Sequence, residues 1–309
     1  MKIVLTGATG LVGSRFFDLL KSKYEIIPLS SSYGIDITDA KKTNKFLSDK
    51  NPDIIVHLAA KTNVDACEDD RENDLKKLKK AKLLEGKDID FENLNKEAWK
   101  NSSSAFGINV VGTKNLSDWV AENDRKIIYV STDFIFDGQK ESPYSEEDIP
   151  TPVDWYGQTK LWGEKTLGEH DLVVRIAYPF GYKSPLKRDL IWTLVELLRT
   201  KEIVELVSDQ TITPTFIDDI AYGLDFLINK DTSGIINLVG NNFISPRDIG
   251  VALAREYNIP ETKIELTTRG KLYKGRAARP FNVSMKNDKL VSLGFQMTDF
   301  FEALKKIKQ

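Results

Sequence analysis

Two side chains in the segment Tyr156-Gly-Gln-Thr-Lys160 have the types and the spacing to do chemistry together. Pro152 stands just before them, and Leu161, Trp162 and Leu167 follow at helical spacing. On a helix, residues four apart lie one turn apart on one face, so the phenol of Tyr156 and the ammonium of Lys160 would be neighbours. A phenol beside a fixed positive charge is a proton donor, because the charge favours the phenolate and lowers the tyrosine pKa. Tyr and Lys at this spacing are also common on plain helix surfaces. The pair gains meaning only if other parts of the chain build a cofactor site next to it.

The N-terminus supplies that context. Ile3-Val4-Leu5 is a short β-type run that leads into Thr6-Gly7-Ala8-Thr9-Gly10-Leu11-Val12-Gly13, after which Phe16, Phe17, Leu19 and Leu20 take helical spacing. Strand, glycine turn and helix in that order suit a dinucleotide. Gly7 permits the tight turn, Gly10 lets backbone approach a pyrophosphate, and Gly13 lets the helix pack close to the strand. The G-x-x-G-x-x-G spacing differs from the commoner G-x-G-x-x-G, so its position as the first strand–helix unit carries the argument.

Further strands follow in register with that expectation. Glu25-Ile-Ile-Pro-Leu29 reads as the second strand, and Ser30-Ser31-Ser32 stands where an acidic residue often holds the adenosine ribose. With no carboxylate to repel a 2′-phosphate and no adjacent Arg to grip one, NADP is permitted without being selected. Thr38 or Asp39 is placed to cap the next helix, which contains Phe46 and Leu47. Asp53-Ile-Ile-Val-His-Leu58 is a near-continuous apolar run, as in a parallel strand covered on both faces. Ala59-Ala60 after it is small enough for a cofactor to lie over the strand end. His57 falls inside the strand pattern and reads as a packed core histidine. With His170 as the only other histidine, neither a zinc site nor a Ser-His-Asp triad is compelling. Lys126-Ile-Ile-Tyr-Val130 ends at Ser131-Thr132-Asp133, where hydroxyls at the carboxyl end of a parallel strand point into the ligand crevice. Leu172-Val-Val-Arg-Ile176 is one more strand. The alternation predicts an α/β protein, a Rossmann-type doubly wound parallel sheet with a smaller C-terminal substrate-binding region. We place the boundary between 1–180 and 181–309, with about 211–240 returning to the first core.

Two regions fit the alternation less well. The stretch Cys67 to Ser104 is dense in Lys, Glu, Asp and Asn, with Leu75, Leu78, Leu83 and Leu84 at roughly helical spacing. It reads as a solvated helical excursion, with a lid or partner-binding element as the functional alternative. Ala98 to Val120 then reads as one long amphipathic helix. Beyond Tyr178, Phe180 to Pro185 reads as a loop, Leu190 to Leu198 as a helix, Asp209 to Pro214 as a polar loop, Phe216 to Leu227 as a helix and Ile235 to Leu238 as a strand. Arg269, Arg276 and Arg279 form a basic patch before Pro280, and two amphipathic helices close the chain.

Bulk composition narrows the class. A 309-residue chain with 41% hydrophobic and 29% charged residues is ordinary for a globular protein with a sizeable core. The 44 basic and 46 acidic side chains leave a net charge of -2, so no global basic field would attract nucleic acid. Cys67 is the only cysteine, which excludes an internal disulfide and fits a reducing compartment. No apolar run suits a signal peptide or a bilayer span, and a soluble cytoplasmic protein is the default expectation.

Taken together, Gly7-Ala-Thr-Gly-Leu-Val-Gly13, Ser131-Thr-Asp133 and Tyr156-Gly-Gln-Thr-Lys160 resemble the extended short-chain dehydrogenase/reductase family. Asp36-Ile37, Ala59 to Asp65, Asn109-Val-Val-Gly-Thr113, Ser131 to Gly138, Ser208-Asp-Gln210, Thr213-Pro-Thr215 and Arg279-Pro280 are similar to its dTDP-4-dehydrorhamnose reductase branch. The resemblance implies an NAD(P)H-dependent reduction of a nucleotide-linked 4-keto-6-deoxy sugar. Tyr156 would donate the proton to the keto oxygen, Lys160 would hold the nicotinamide ribose, Thr132 would bond the same oxygen and Asp133 would contact the sugar. Gly7, Gly10, Leu11, Val12 and Gly13 would wrap the pyrophosphate. Asp36 and Ile37 would flank the adenine, Ser30 would sit by the ribose, and Ala60, Lys61 and Thr62 would line the cofactor. Arg279 would meet the substrate diphosphate, since a planar fork suits phosphate oxygens. The resemblance names no metal and leaves a homodimer open. Phe134 stands where the branch usually has Tyr, Tyr178 where it usually has Trp, and residues 71–101 add roughly thirty residues, long by loop priors. Dehydratases of this superfamily usually carry an acidic pair after the Thr, which Asp133-Phe134 does not match. An NAD-dependent epimerase and a non-catalytic, cofactor-binding regulatory subunit remain the competing readings.

Overall fold

The computed structural model describes residues 1–86, 88–182 and 189–308, and the side chains of all of these but Tyr33 and Glu85. Lys183, Ser184 and Pro185 of the expected loop therefore lie outside the described residues. The chain begins with β1 (Lys2–Thr6), a glycine turn, α1 (Leu11–Leu20) and β2 (Glu25–Leu29). Asp39 caps α2 (Ala40–Lys50) by accepting from Lys42 N at 3.1 Å, and β3 (Ile54–His57) follows. Next come α3 (Val64–Lys80), a small hairpin of β4 (Leu84–Glu85) and β5 (Asp88–Ile89), and a 3-10 turn at Lys96–Trp99. A π-helical segment, Gly107–Gly112, runs into α4 (Thr113–Glu122). β6 (Lys126–Thr132), α5 (Trp155–Glu164) and β7 (Leu172–Ile176) complete the first half.

The second half contains β8 (Pro179–Phe180), α6 (Leu190–Thr200), β9 (Val204–Val207), β10 (Thr215–Phe216), α7 (Ile217–Asn229) and β11 (Gly234–Asn237). It closes with α8 (Pro246–Glu256), β12 (Ile264–Thr267), α9 (Arg269–Leu272), α10 (Asp288–Leu293) and α11 (Phe300–Lys308).

Six strands form one parallel sheet in the order β2-β1-β3-β6-β7-β11. Successive side chains of a strand point to opposite faces, and here both faces are covered. Ile3, Leu5, Val56 and Ile128 pack under α1 and α7, while Val4, Ile55 and Ile127 pack under α2 and α4. This double burial is why the strands read as unbroken apolar runs. β1 has β2 on one side and β3 on the other, so the chain reverses its direction of travel there. The crevice at the carboxyl ends of β1 and β3 is the switch point where ligands bind in such sheets.

Residues from the second half return to this sheet. β11 pairs with β7, and α7 packs against α1, tied by Arg15 to Asp218 at 2.6 and 2.8 Å. A second core gathers Leu194, Leu206, Leu253 and Phe300 from α6, β9, α8 and α11. β9 and β12 pair in parallel beside it.

Two expectations change. Ala98 to Val120 is not one helix: a short 3-10 turn ends at Trp99, and the helix proper starts only after the Asn101–Ser104 segment. Leu83 and Leu84 are not helical either, because α3 stops at Lys80 and the chain turns back through β4 and β5. Leu83, Ile89, Leu94 and Trp99 are all buried in one cluster with Phe106 and Trp162. The excursion folds because these apolar residues are spaced through an otherwise charged stretch. α8, β9 and β12 were not legible in the sequence pattern.

Candidate active site

The cleft at the switch point has a volume of about 680 Å³. Its floor is the glycine turn. Gly7 has φ of +68°, and a Cβ there would meet Ala59 N at 2.7 Å, so both conformation and space require glycine. A Cβ on Gly13 would lie 2.2 Å from Gly7 O, which is why α1 can start so close to the strand end. Gly10 is the N-cap of α1 and no side chain caps the helix. The first-turn N–H groups therefore lack a side-chain acceptor in the fold, an arrangement that suits a pyrophosphate. Thr6 Oγ1 accepts from Leu58 N at 3.1 Å and Ala59 N at 3.0 Å, locking the ends of β1 and β3 together. His57 is buried between Thr6 Oγ1 at 2.6 Å and Thr113 Oγ1 at 3.0 Å, and burial lowers its pKa to about 3. It is the neutral core histidine that its strand position implied.

The opposite end of the cleft gathers the hydroxyl, carboxyl and amino side chains. α5 begins at its cap Asp154, whose carboxylate accepts from Gly157 N at 2.8 Å. A Cβ on Gly157 would sit 2.1 Å from Phe134 O, so the helix start presses directly on the turn after β6. That contact brings Tyr156 and Lys160 of α5 to the same cavity as Thr132 and Asp133. Thr132 Oγ1 donates to Asp133 Oδ1 at 3.0 Å. Asn109, within the π-helical segment, accepts from Lys61 N at 2.8 Å and donates to Lys61 O at 3.1 Å and to Thr159 Oγ1 at 3.0 Å. It thereby ties the loop after β3 to α5. π-turns of this kind often occur at functional sites.

Electrostatics at this end are governed by burial. Lys160 is 2% exposed, and its Nζ donates to Val130 O at 2.7 Å and lies 3.9 Å from the centre of the Tyr129 ring. Loss of water lowers its pKa to about 7, against the opposing charge of Glu164. Tyr156 is raised above its ordinary value, first by burial, with the Thr132 hydroxyl opposing and the Asp133 charge adding. The sequence-based expectation that Lys160 lowers the Tyr156 pKa thus needs correction. Its ammonium is committed to a backbone carbonyl and a ring face, and desolvation of the phenol dominates. Asp133, 3% exposed, is raised to about 7 by burial, partly opposed by the Thr132 hydrogen bond.

Gly7, Gly10, Leu11, Val12, Gly13, Ser30, Asp36, Ile37, Ala60 and Thr62 all line the cleft, as do Thr132, Asp133, Tyr156 and Lys160. Lys61 and Arg279 are not among its lining residues. Lys61 Nζ turns to Asp70 at 2.5 Å. Arg279 makes a two-pronged bond to Asp65, 2.8 Å on each prong, and stacks on Tyr273. Asn101, Ser102, Ser103 and Ile108 line the cleft without having been singled out. The clue was the short polar run Asn101 to Ser104 just before a helix, at the level of a strand's carboxyl end. Two buried polar atoms at the reaction end, Ser131 Oγ and Asp133 Oδ2, have no partner in the fold. With the uncapped α1 terminus, they fit a bound dinucleotide and a polar substrate. Tyr178 lies against Phe134, ring centres 6.5 Å apart, and Phe134 meets the edge of Tyr156 at 5.7 Å. Tyr178 has φ of +40°, a conformation tolerated only where the surroundings enforce it.

Comparison with known proteins agrees with this geometry. A family model described as RmlD substrate binding domain matches residues 1–81 and 95–309, leaving out the segment that contains the β4–β5 hairpin. The chain is 28% identical to a dTDP-4-dehydrorhamnose reductase of Aggregatibacter actinomycetemcomitans, covering 99% of this chain and 98% of that one. It is 25% identical to the methionine adenosyltransferase 2 subunit beta of Mus musculus, over 98% of this chain and 86% of the other. A crystal structure of a dTDP-4-dehydrorhamnose reductase from Clostridium acetobutylicum superposes with a TM-score of 0.82 at 28% identity, covering 100% of this chain and 98% of that one. A sheet wound about a glycine turn, a Thr–Tyr–Lys set at its mouth and a family match over nearly the whole length lead to one conclusion: the chain belongs to the RmlD substrate-binding domain family, within the extended short-chain dehydrogenase/reductases.

Proposed function

We propose that this protein is an NAD(P)H-dependent reductase of a nucleotide-linked 4-keto-6-deoxy sugar. The observation that carries the reading is the meeting of Thr132, Tyr156 and Lys160 at one end of a cleft whose other end is an uncapped helix terminus. A reduced nicotinamide held in this cleft supplies the hydride. The chain's own residues then supply orientation and a proton. Tyr156, kept protonated by burial, donates its hydroxyl proton to the oxygen that becomes an alcohol. Thr132 bonds the same oxygen and orients it. Lys160, anchored on Val130 O, would hold the coenzyme ribose. Asp133 Oδ2 and the Ser131 hydroxyl, both without a partner in the fold, would bond polar groups of coenzyme or sugar. Catalysis of this kind rests mainly on positioning plus one tuned acid.

Arg279 answers to the substrate diphosphate only by exchanging its bond to Asp65 for one to phosphate. Phe134 and Tyr178 would form the apolar side of the sugar site. The test is stoichiometric oxidation of NAD(P)H when dTDP-4-keto-6-deoxy sugar is added. Isomerised sugar without net coenzyme consumption would favour the epimerase instead.

The second reading is a cofactor-binding subunit without turnover, which the 25% identity to a methionine adenosyltransferase subunit supports. Against it stand Tyr156, Lys160 and Thr132 in one cavity, since a scaffold does not need all three side chains. Tyr156→Phe separates the two. An enzyme loses turnover and keeps coenzyme binding, whereas a scaffold loses nothing measurable.

A further inference from the structure

Three carboxylates of α3 turn toward other elements of the fold, and none of them lines the cleft. Glu68 Oε2 accepts from Trp155 N at 2.9 Å, and Asp70 Oδ2 accepts from Ala105 N at 2.8 Å. Asp74 is 1% exposed, and its Oδ2 accepts both from Phe106 N at 3.1 Å and from Trp155 Nε1 at 3.0 Å. Acidic side chains on a helix are ordinarily left in water, and a buried one is costly unless it is bonded. Here the bonds go to the chain that enters the π-helical segment of Asn109 and to the first residue of α5.

Trp155 joins this row of carboxylates to the reaction end. It stands directly before Tyr156, and successive residues of a helix are about 100° apart around the axis, so the two side chains leave α5 in different directions. Tyr156 lines the cleft and Trp155 does not. Trp155 is 3% exposed, with its backbone N–H bonded to Glu68 and its indole N–H to Asp74. Its ring meets Trp162 edge-on at 5.3 Å. The Arg71 guanidinium, paired with Glu68 at 2.7 Å, lies 5.8 Å from the Trp155 ring centre. The Asp154 cap fixes where α5 starts. The grip on Trp155 fixes how the helix is turned about its axis.

We propose that Asp74 and Trp155 are positioning residues for the reaction, setting the rotation of α5 and with it the place of the Tyr156 hydroxyl in the cleft. Neither touches coenzyme or substrate. The proposal deepens the reductase reading and rests on Tyr156 as its proton donor. A displacement of about 1 Å at a reacting group costs on the order of a hundredfold in rate. One oxygen of Asp74 takes both bonds, so the amide carbonyl of Asn serves as well, whereas Ala leaves the Phe106 N–H and the indole N–H without their acceptor.

Three variants of the full chain test it with NADPH and dTDP-4-keto-6-deoxymannose. Asp74→Ala and Trp155→Phe should each lower kcat per folded molecule roughly ten- to a hundredfold, with the Kd of NADPH and the KM of the sugar nearly unchanged. Asp74→Asn should keep kcat within about threefold of wild type. Trp155→Phe keeps an aromatic ring in the cluster and removes the N–H, so it carries the test if Asp74→Ala does not fold. Crystal structures should show the Tyr156 hydroxyl displaced in Trp155→Phe and in place in Asp74→Asn. If Trp155→Phe and folded Asp74→Ala only melt at lower temperature and keep the wild-type kcat, the proposal falls and the reductase reading stands. It falls as well if Asp74→Asn is as slow as Trp155→Phe. If the wild-type protein reduces no keto sugar yet the phenol is displaced and kept in place as stated, the positioning is upheld and the reductase reading fails. If there is neither turnover nor displacement, both fall.

Discussion

The two ends of one cleft are built on opposite plans. At the reaction end, Thr132, Asp133 and Lys160 are all less than a tenth exposed and come from a strand end and a helix start pressed together. At the other end, Ser30 and Asn101–Ser103 come from loops and Ser31 from a 3-10 turn, and Asn101 and Ser103 are open to solvent. Burial at the first end raises Asp133 to about 7 and lowers Lys160 to about 7. At the second end the Asp36 carboxylate accepts two hydrogen bonds from Thr38 through one oxygen. The proposed reaction groups thus sit where water is excluded, while the other end is open to solvent.

The largest effect expected from this contrast is the loss of the phenol. Tyr156→Phe should lower kcat by about 10²- to 10⁴-fold, the range for one general acid, with the dissociation constant for NAD(P)H nearly unchanged. Steady-state kinetics beside calorimetry read both numbers. Retained turnover would remove the reason for distinguishing the two ends.

The next effect is a pH dependence of stability. The folded pKa of Asp133 is raised from 3.8 to about 7. Between those values the folded state holds a proton that the unfolded state has released, so this group's contribution to stability falls as pH rises from about 4 to about 7 and is flat above. Asp133→Asn lacks the titration. Its stability relative to wild type should therefore rise across that window by up to about 4 kcal/mol, read by denaturant melts at several pH values. A constant difference would show that the reaction end is wetter than its packing indicates.

A smaller effect concerns the contact that joins α5 to the turn after β6. Gly157→Ala places a methyl group 2.1 Å from Phe134 O, and should destabilise the fold by roughly 1–3 kcal/mol and weaken kcat through displacement of Tyr156. The smallest effect is at the open end. Asn101→Gly should change stability by less than about 1 kcal/mol, because glycine accepts the left-handed turn freely. Asn101→Val should destabilise by about 1–2 kcal/mol through strain, and loosen the coenzyme only modestly.

Much of this molecule was legible from local pattern. A glycine turn between an apolar run and a helical run needs only its own residues to form, and period-2 and period-3.6 patterns report which faces are covered. The α/β class, the glycine turn, the Tyr156 helix and the core position of His57 follow from such short-range rules. The excursion was harder, because its helix-like leucines serve both a helix and a hairpin and only their common burial with Trp99 and Trp162 separates the two. β9 and β12 of the second core were missed because they are four residues each and pair across a separation of 60 positions.

What sequence alone determined, then, is the presence of a dinucleotide-type cleft and of a Tyr and a Lys on one helix. Tertiary structure decided what those groups are like. It turned Lys160 onto Val130 O, pulled Lys61 away to Asp70, joined Arg279 to Asp65 across 214 positions and brought Asn101–Ser103 to the rim. The physical reason is range. Turn and helix preferences act over a few residues, whereas desolvation and ion pairing depend on which distant segments exclude water from a group, and only the packed chain specifies that.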